Sequence, residues 1–342
     1  GEPITLELMK TLECSLEKNR KYLNTENVNH VAFIFPSFSL YSILERGSWK
    51  VNRYQYLTFW PLDYLVKQSV GFDLLTEGYA DTEVLDKYKL VIVVSPVIYP
   101  WLRNALENTT ADVLALGWAG SVAAPGPNTL KIDPDPKEMV LTLEHAWPEN
   151  GEVVGTGKTI FPTEGKVIQE DTAFCFAQED HPLLKNLAGL ELNYKGLGIG
   201  GAALPYVGEL EGETLAVDEQ GRAVYAVQER NGKKVIHFGG LLHFSDRDGN
   251  DASLFSKEQE IQFFNNIMDY CGITYYPDLE PIRIFETSKY VLIENTSDQK
   301  FVGEVPNKLQ VKGLKWPDYT AKVIRGLEIP PFSSIVIELD ER

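Results

Sequence analysis

Apolar residues recur in this chain with a spacing typical of alternating strands and helices. Two continuous apolar runs rich in β-branched residues, at 90–94 and 111–116, predict strands that are covered on both faces. Residues 100–108 between them predict a helix, because their large apolar side chains fall at helical spacing: Trp101, Leu102, Ala105 and Leu106. A helix that joins two buried strands makes a β-α-β unit, so we expect the two strands to be parallel.

The same alternation extends on both sides of this unit. Further apolar runs predict strands at 30–35, 72–75 and 233–238, and amphipathic runs predict helices at 4–23, 54–67 and 256–270. Ser256 followed by Gln259 predicts a capping box at the start of the last helix, and Gly272 predicts its end. We therefore expect an α/β fold built on a parallel sheet.

The pattern changes twice along the chain. From 131 to about 230, glycine, proline and short β-like runs replace the alternation, which predicts an inserted or elaborated β-rich region. Beyond 278 the apolar period becomes two, which predicts a small antiparallel β-sandwich over 278–342. We divide the chain accordingly into a leading amphipathic helix and linker (1–27), an α/β domain (28–277) and a C-terminal β domain.

Charge and composition limit the partners. The 342 residues include 49 acidic and 32 basic ones, and the formal net charge of −17 repels nucleic acids and anionic membrane surfaces. No apolar run approaches the roughly 20 residues needed to span a bilayer. We expect a soluble protein with neither nucleic-acid nor membrane partners.

Cysteine usage bears on the compartment. Cys14, Cys175 and Cys271 are too few and too far apart to suggest a disulfide framework or a zinc site, which favours the cytoplasm. The chain begins with Gly1 rather than Met, so a secreted or periplasmic location stays open. We expect Cys175 and Cys271 to be buried packing residues rather than nucleophiles.

Three motifs that suggest cofactors lack the context that each requires. Residues 196–201 satisfy GxGxxG, but no helix pattern follows them, and GTGKT at 155–159 lacks the first glycine of a P-loop because Glu152 stands there. The acidic run at 245–251 lacks the glutamate that closes a calcium loop. The sequence therefore predicts no cofactor and no metal.

A ligand site is expected where the parallel strands end. In open parallel sheets, ligands bind beyond the carboxyl ends of the strands, which here are Ser95 and the turn 117–120. Trp118 in that turn can line a pocket or an interface, since an indole offers an apolar face and an N–H donor. Trp60 and Trp101 lie in apolar helical stripes, so we expect both to belong to the core.

Several longer segments resemble the region that follows the catalytic barrel in family 42 glycoside hydrolases, the bacterial β-galactosidases. The segments are YLTFWPLDYLVKQSVGFDLLTE, VLDKYKLVIVVSP, HPLLKNL, KKVIHFGGLLHF and YVLIENTSD. The resemblance covers nearly the whole chain. It implies a flavodoxin-like, class I glutamine-amidotransferase-like sheet with a β-rich insertion, a small C-terminal β domain, and association of subunits into a homo-oligomer such as a trimer.

The resemblance also implies a degenerate amidotransferase site. Those enzymes place a nucleophilic cysteine in a tight turn after the fourth strand, and the corresponding position here is Ala119. Their paired His and Glu are matched only by His243, with Asp246 as a substitute carboxylate from a shifted position. We assign no catalytic residue. The candidate binding residues are Ser95, Trp118, Ala119, His243 and Asp246.

Two classes of function follow. In the first, the chain is a non-catalytic region of a carbohydrate-active, β-galactosidase-like glycoside hydrolase, or a relative of one, that mediates oligomerisation and supports the sugar site. The resemblance implies this role because the family's two catalytic carboxylates lie on the barrel. The alternative is a free-standing hydrolase or carbohydrate-binding protein that uses the crevice near Trp118 and His243. The sequence alone leaves open whether the chain is itself an enzyme.

Overall fold

The structure is a computed structural model in which fourteen parts of the chain are described. They are residues 29–36, 60–95, 98, 100–117, 164–167, 172–178, 180–193, 206–209, 212–240, 243–245, 251–253, 255–276, 280–306 and 323–338. The predicted leading helix at 4–23 lies outside them. The chain divides into two compact units, a larger one drawn from 30–64 and 72–274 and a smaller one drawn from 1–29, 65–71 and 275–342.

A large mixed sheet forms the centre of the larger unit. Its strands in chain order are β1 (Val31–Phe35), β2 (Phe72–Thr76), β3 (Leu90–Val93), β4 (Asp112–Leu116), β5 (Glu164–Val167), β6 (Ala173–Phe176), β7 (Glu191–Asn193), β8 (Tyr206–Glu209), β9 (Glu213–Asp218), β10 (Ala223–Arg230) and β11 (Lys233–Phe238). The order across the sheet is β2-β1-β3-β4-β11-β10-β9-β6-β7, and β8 links β5 to β10. The strands β2, β1, β3, β4 and β11 are mutually parallel.

The strands predicted from continuous apolar runs are confirmed, and so is the parallel pairing of β3 with β4. Strands β1, β3, β4 and β11 are covered on both faces, which explains why their apolar runs do not alternate, whereas the edge strand β2 is only partly buried. The described strands of the region from 131 to about 230 elaborate the main sheet and do not form an insertion separate from it. Its described strands β6, β9 and β10 pair antiparallel and continue the main sheet beyond β11.

A two-residue turn connects the parallel and antiparallel parts of this sheet. Asn231 and Gly232 join β10 to β11, and their φ angles of 53° and 79° are both positive. This is the geometry of a type I′ hairpin turn, for which Asn-Gly is a preferred sequence. The turn sets the register in which Arg230 faces Lys233 and Tyr225 faces Phe238.

Helices cover the two faces of the sheet. They are α1 (described over 60–67), α2 (Thr82–Leu85), α3 (Pro100–Asn108) and α4 (Lys257–Tyr270). On one face, α3 buries Leu102, Ala105 and Leu106 against alternate residues of β1, β3, β4 and β11. On the other face, Phe263 of α4 packs on Phe238 with ring centroids 4.8 Å apart.

The two helix tryptophans behave differently. Trp60 is buried and packs against Phe264 with ring centroids 4.7 Å apart, as expected. The prediction that Trp101 is a core residue is wrong, because 41% of its surface is exposed. Each helical residue is rotated by about 100° from the one before it, and the buried stripe begins at Leu102, so Trp101 points away from the sheet.

Two adjacent lysines at the start of β11 fix the C-terminal ends of α3 and α4. Successive strand residues point to opposite faces, so Lys233 reaches α3 while Lys234 reaches α4. The buried Lys233 ammonium donates to the backbone carbonyls of Leu106, Glu107 (3.0 Å) and Thr109 (2.9 Å). Lys234 donates to the carbonyl of Tyr270 and lies 4.3 Å from the centre of its ring. Each cation satisfies helix-end carbonyls and opposes the negative end of a helix dipole.

The predicted signals at the ends of α4 are confirmed. Ser256 and Gln259 form a complete capping box, in which the Ser256 hydroxyl accepts from Gln259 N–H and the Gln259 side chain accepts from Ser256 N–H. Gly272 follows the helix with φ of 64°, a conformation that favours glycine. Within the helix, the buried Asn266 amide donates to the carbonyls of Leu183 and Lys185 and so attaches the HPLLKNL segment to α4.

The smaller unit is antiparallel, as the period of two predicts. The larger unit ends with two short strands, β12 (His243–Ser245) and β13 (Asp251–Ser253), and the helix α4. The strands of the smaller unit are β14 (Ile282–Glu286), β15 (Tyr290–Asn295), β16 (Phe301–Pro306), β17 (Val323–Ile329) and β18 (Ser334–Glu338). They form the sheets β14-β15-β18 and β16-β17, whose inward residues, such as Ile284, Ile293 and Leu327, share one hydrophobic cluster. The fully buried Asn295 amide donates to the carbonyls of Gln299, Ile329 and Pro330 and ties these strands together.

Replacing Lys233 by methionine should destabilise the larger unit more than the matched change at Lys234. Lys233→Met removes a charged donor from three carbonyls in a buried place, so we expect a loss of about 2 kcal/mol in the free energy of unfolding. Lys234 is partly exposed and water can replace it, so Lys234→Met should lose less than about 1 kcal/mol. Urea unfolding of both variants measures the difference. Equal losses would contradict the role given to Lys233.

Candidate functional site

The carboxyl ends of three adjacent parallel strands form the candidate site. Val93 of β3 is in register with Ala115 of β4, which is in register with His237 of β11. Beyond this row, Gly117 N–H donates to the carbonyl of Phe238 at 2.8 Å, with Gly117 at φ of 59°. The structure therefore brings together the two strand ends, at Ser95 and Gly117, where the sequence predicts a ligand site.

Ser95 is fully buried beyond the end of β3. Among the described residues its hydroxyl has no hydrogen-bond partner, and an unsatisfied buried hydroxyl is unfavourable by about 1–3 kcal/mol. A fully buried hydroxyl can contact a ligand only when its surroundings move to expose it. Its assignment as a binding residue stays a prediction.

The other four predicted site residues cannot be placed around Ser95. Trp118, Ala119 and Asp246 lie outside the described residues. The backbone of His243 lies in β12, which pairs antiparallel with β13 as a separate hairpin, and His243 faces Ser253 there. These four assignments also stay predictions.

Sequence reasoning missed His237, a buried histidine at the same edge. Burial lowers the pKa of its imidazole from 6.5 to about 4, and a backbone interaction with Gly117 opposes this shift only in part. The imidazole is therefore neutral at physiological pH and is a structural part of the site rather than a cation. The alternation of β11 could have found it, because His237 shares a face with Lys233 and Val235.

Three further residues at this edge surround the end of β2. The 3₁₀ turn Glu77–Tyr79 follows β2 directly, and the Glu77 side chain is buried. Tyr79 in the same turn is 77% exposed. The indole N–H of Trp101, near the start of α3, donates to the carbonyl of Glu77 at 3.4 Å. An indole and a phenol thus lie at the surface beside one turn.

The two cysteines in the described part of the chain supply no nucleophile at this edge. Cys271 is buried at the end of α4, where burial raises the pKa of its thiol well above the ordinary value. Cys175 in β6 is exposed, so the prediction that it is buried is wrong: it faces outward between the buried Phe174 and Phe176.

Within the described parts of the chain, no group of three or more His, Cys, Asp or Glu side chains could hold a metal ion. No helix in those parts is both long and apolar enough to cross a membrane.

Comparison with solved structures identifies the class of fold. No protein-family model matches the sequence, and no curated protein matches it. The chain is similar to a β-galactosidase from Bacillus circulans sp. alkalophilus, with a TM-score of 0.56 and 16% identity over 98% of this chain and 44% of that one. It is similar to a β-galactosidase from Marinomonas ef1, with a TM-score of 0.52 and 14% identity over 98% of this chain and 42% of that one.

One match names the particular family. Gan42B, a family 42 β-galactosidase from G. stearothermophilus, has a TM-score of 0.53 and 12% identity over 91% of this chain and 40% of its own. The chain thus resembles family 42 glycoside hydrolases in fold, as its sequence segments indicate. It spans less than half the length of these structures, and at such identities the likeness concerns the fold.

Acidification should destabilise the chain through His237. The pKa of His237 is lower in the folded state than in the unfolded one, so the unfolded chain alone binds this proton between about pH 6.5 and 4. The free energy of unfolding is therefore not reduced by His237 above pH 6.5, and it falls by about 3 kcal/mol as the pH decreases from 6.5 to 4. Urea unfolding of the wild type and His237→Leu at pH 7 and pH 4.5 tests this. Identical pH dependence in the two proteins would show that His237 is not responsible.

Proposed function

We propose that the chain is a non-catalytic region of a β-galactosidase-like glycoside hydrolase, or a relative of one, that associates subunits and supports a sugar site. The observation that carries this proposal is the extent of the fold match, which covers 91–98% of this chain but only 40–44% of each structure compared. A match of this form is expected of a region that works beside a separate catalytic region. Family resemblance assigns the catalytic carboxylates to a barrel, and the 342 residues show no barrel pattern.

The strand order supports a finer assignment of the α/β fold. The parallel strands run β2-β1-β3-β4-β11, which is the flavodoxin-like order once the antiparallel additions are set aside. We assign the larger unit to the class I glutamine-amidotransferase-like variety of this fold, with Ala119 in place of the nucleophile. The smaller unit, two antiparallel sheets on a common core, fits the proposed β-sandwich.

The described part of the carboxyl edge supports a role without catalysis. After β3, β4 and β11 come Ser95, Gly117 and Gly239, none of which is a carboxylate. Glu77, the carboxylate that follows β2, is buried. Glycoside hydrolysis needs two carboxylates placed across the scissile bond, and the described strand ends do not offer such a pair.

A carbohydrate-binding protein is the second candidate. The exposed rings of Tyr79 and Trp101 favour it, because they lie at the edge of the sheet where ligands of α/β folds bind. A free-standing hydrolase at the crevice near Trp118 and His243 would instead show turnover that Trp118→Ala or His243→Ala abolishes.

The purified chain should form a homo-oligomer that does not hydrolyse β-galactosides. Size-exclusion chromatography with light scattering at about 50 µM should give a multiple of 38.5 kDa, and a nitrophenyl β-galactoside should stay intact. Trp118→Ala and His243→Ala serve as controls and should behave like the wild type in the activity assay. A monomer would contradict the role in subunit association. Hydrolysis that disappears in these variants would favour the free-standing enzyme.

A further inference from the structure

The imidazole of His181 connects three elements of the larger unit. His181 immediately precedes the 3₁₀ turn Pro182–Leu184 and caps it, because its Nδ1 accepts from Leu183 N–H at 3.1 Å. Its Nε2 lies 3.8 Å from Oε2 of Glu213 in β9, and its ring centroid lies 5.5 Å from that of Tyr270 in α4. The His181 side chain is only 12% exposed, so protein groups form most of its surroundings.

The hydrogen bond from Leu183 fixes the position of the imidazole proton. An imidazole nitrogen that accepts a hydrogen bond carries no proton, so neutral His181 carries its proton on Nε2. The distance from Nε2 to the Glu213 carboxylate is too long for a hydrogen bond. In acid the second proton must bind Nδ1, toward which the Leu183 N–H is directed. Two donors cannot form a hydrogen bond with each other, so protonated His181 cannot remain the cap of this turn.

The groups around the ring offer other partners to an imidazolium. A movement of about 1 Å brings the Glu213 carboxylate into hydrogen-bond range of Nε2, and the ring of Tyr270 attracts a cation placed over its face. The other charged groups near the site have both signs: Asp180 and Lys185 in the same segment, and Asp112, Glu229 and Lys234 around Tyr270. Because these charges largely balance one another, Glu213 is the main partner available to the imidazolium.

We propose that acidification makes His181 change its partner, so that it releases the Leu183 N–H and pairs with Glu213. The 3₁₀ turn then loses the side-chain acceptor at its start. The HPLLKNL segment stays attached to α4, because the buried Asn266 amide donates to the carbonyls of Leu183 and Lys185 and does not titrate. The change is therefore confined to the start of the turn, and His181 acts as an acid-sensitive switch there.

Amide hydrogen exchange at Leu183 tests this change of partner, and the ¹⁵N chemical shifts of the His181 ring record its protonation. Between pH 8 and pH 5, the protection of the Leu183 amide, corrected for the intrinsic effect of pH on exchange, should fall about fivefold in the wild type. His181→Asn is the matched control, because asparagine caps a helical turn without titrating, so its protection should not change. In Glu213→Gln the imidazolium lacks its new partner, so the fall should be smaller.

His237→Leu separates this switch from the acid response of His237, and it should keep the full fall at Leu183. Protection that is unchanged in the wild type at pH 5, or that falls equally in His181→Asn, would overturn this inference. An equal fall in Glu213→Gln would overturn the pairing with Glu213. Urea unfolding at pH 8 checks that the variants fold, and the wild type alone decides the first outcome if one does not. These outcomes are separate from the proposed function, because the groups involved are neighbours within the larger unit.

Discussion

The paired cations at the start of β11 hold the larger unit together. Lys233 and Lys234 are neighbours in sequence, yet the pleat of the strand sends them to opposite faces of the sheet. One binds the carbonyls at the end of α3, and the other binds the carbonyl that ends α4. Burial and the nearby Arg230 lower the pKa of Lys233, and three carbonyl acceptors compensate for taking its charge out of water. The helices on both faces are thereby fixed to one strand.

This arrangement separates the edge that holds the fold from the edge that can bind ligands. Both lysines act at the amino end of β11, where the helices finish. Loops and helix starts occupy the opposite edge, with Ser95, Gly117 and the aromatic pair of Tyr79 and Trp101. Loops at that edge can therefore differ in sequence without disturbing the cation contacts. The degenerate amidotransferase turn proposed at Ala119 fits such freedom.

Sequence patterns predicted the strands and helix ends that are determined by residues close together in the chain. The apolar runs of β1, β3, β4 and β11 are buried on both faces, and the capping box of α4 depends on residues three apart. Long-range pairing could not be predicted in the same way. Nothing in the sequences of β6 and β9 shows that they continue the main sheet, although Asn231-Gly232 signals the hairpin that begins this extension. Trp101 was misplaced because helical spacing predicts an apolar face of α3 but does not show whether a residue at the border of that face is buried. His237 was missed because a single histidine within a buried strand matches no motif, although the alternation of β11 places it on the same face as Lys233.

The two-residue turn at Asn231 and Gly232 has a consequence for how this sequence can change over time. It sets which of the two lysines faces which helix, because a shift of β11 by one residue exchanges the faces of all its side chains. A single inserted residue that moved the register would therefore direct each ammonium away from its helix end and bring His237 to the aromatic face. Surface loops usually accept insertions readily. This turn is also at the surface, yet its length is constrained by contacts on both sides of the sheet.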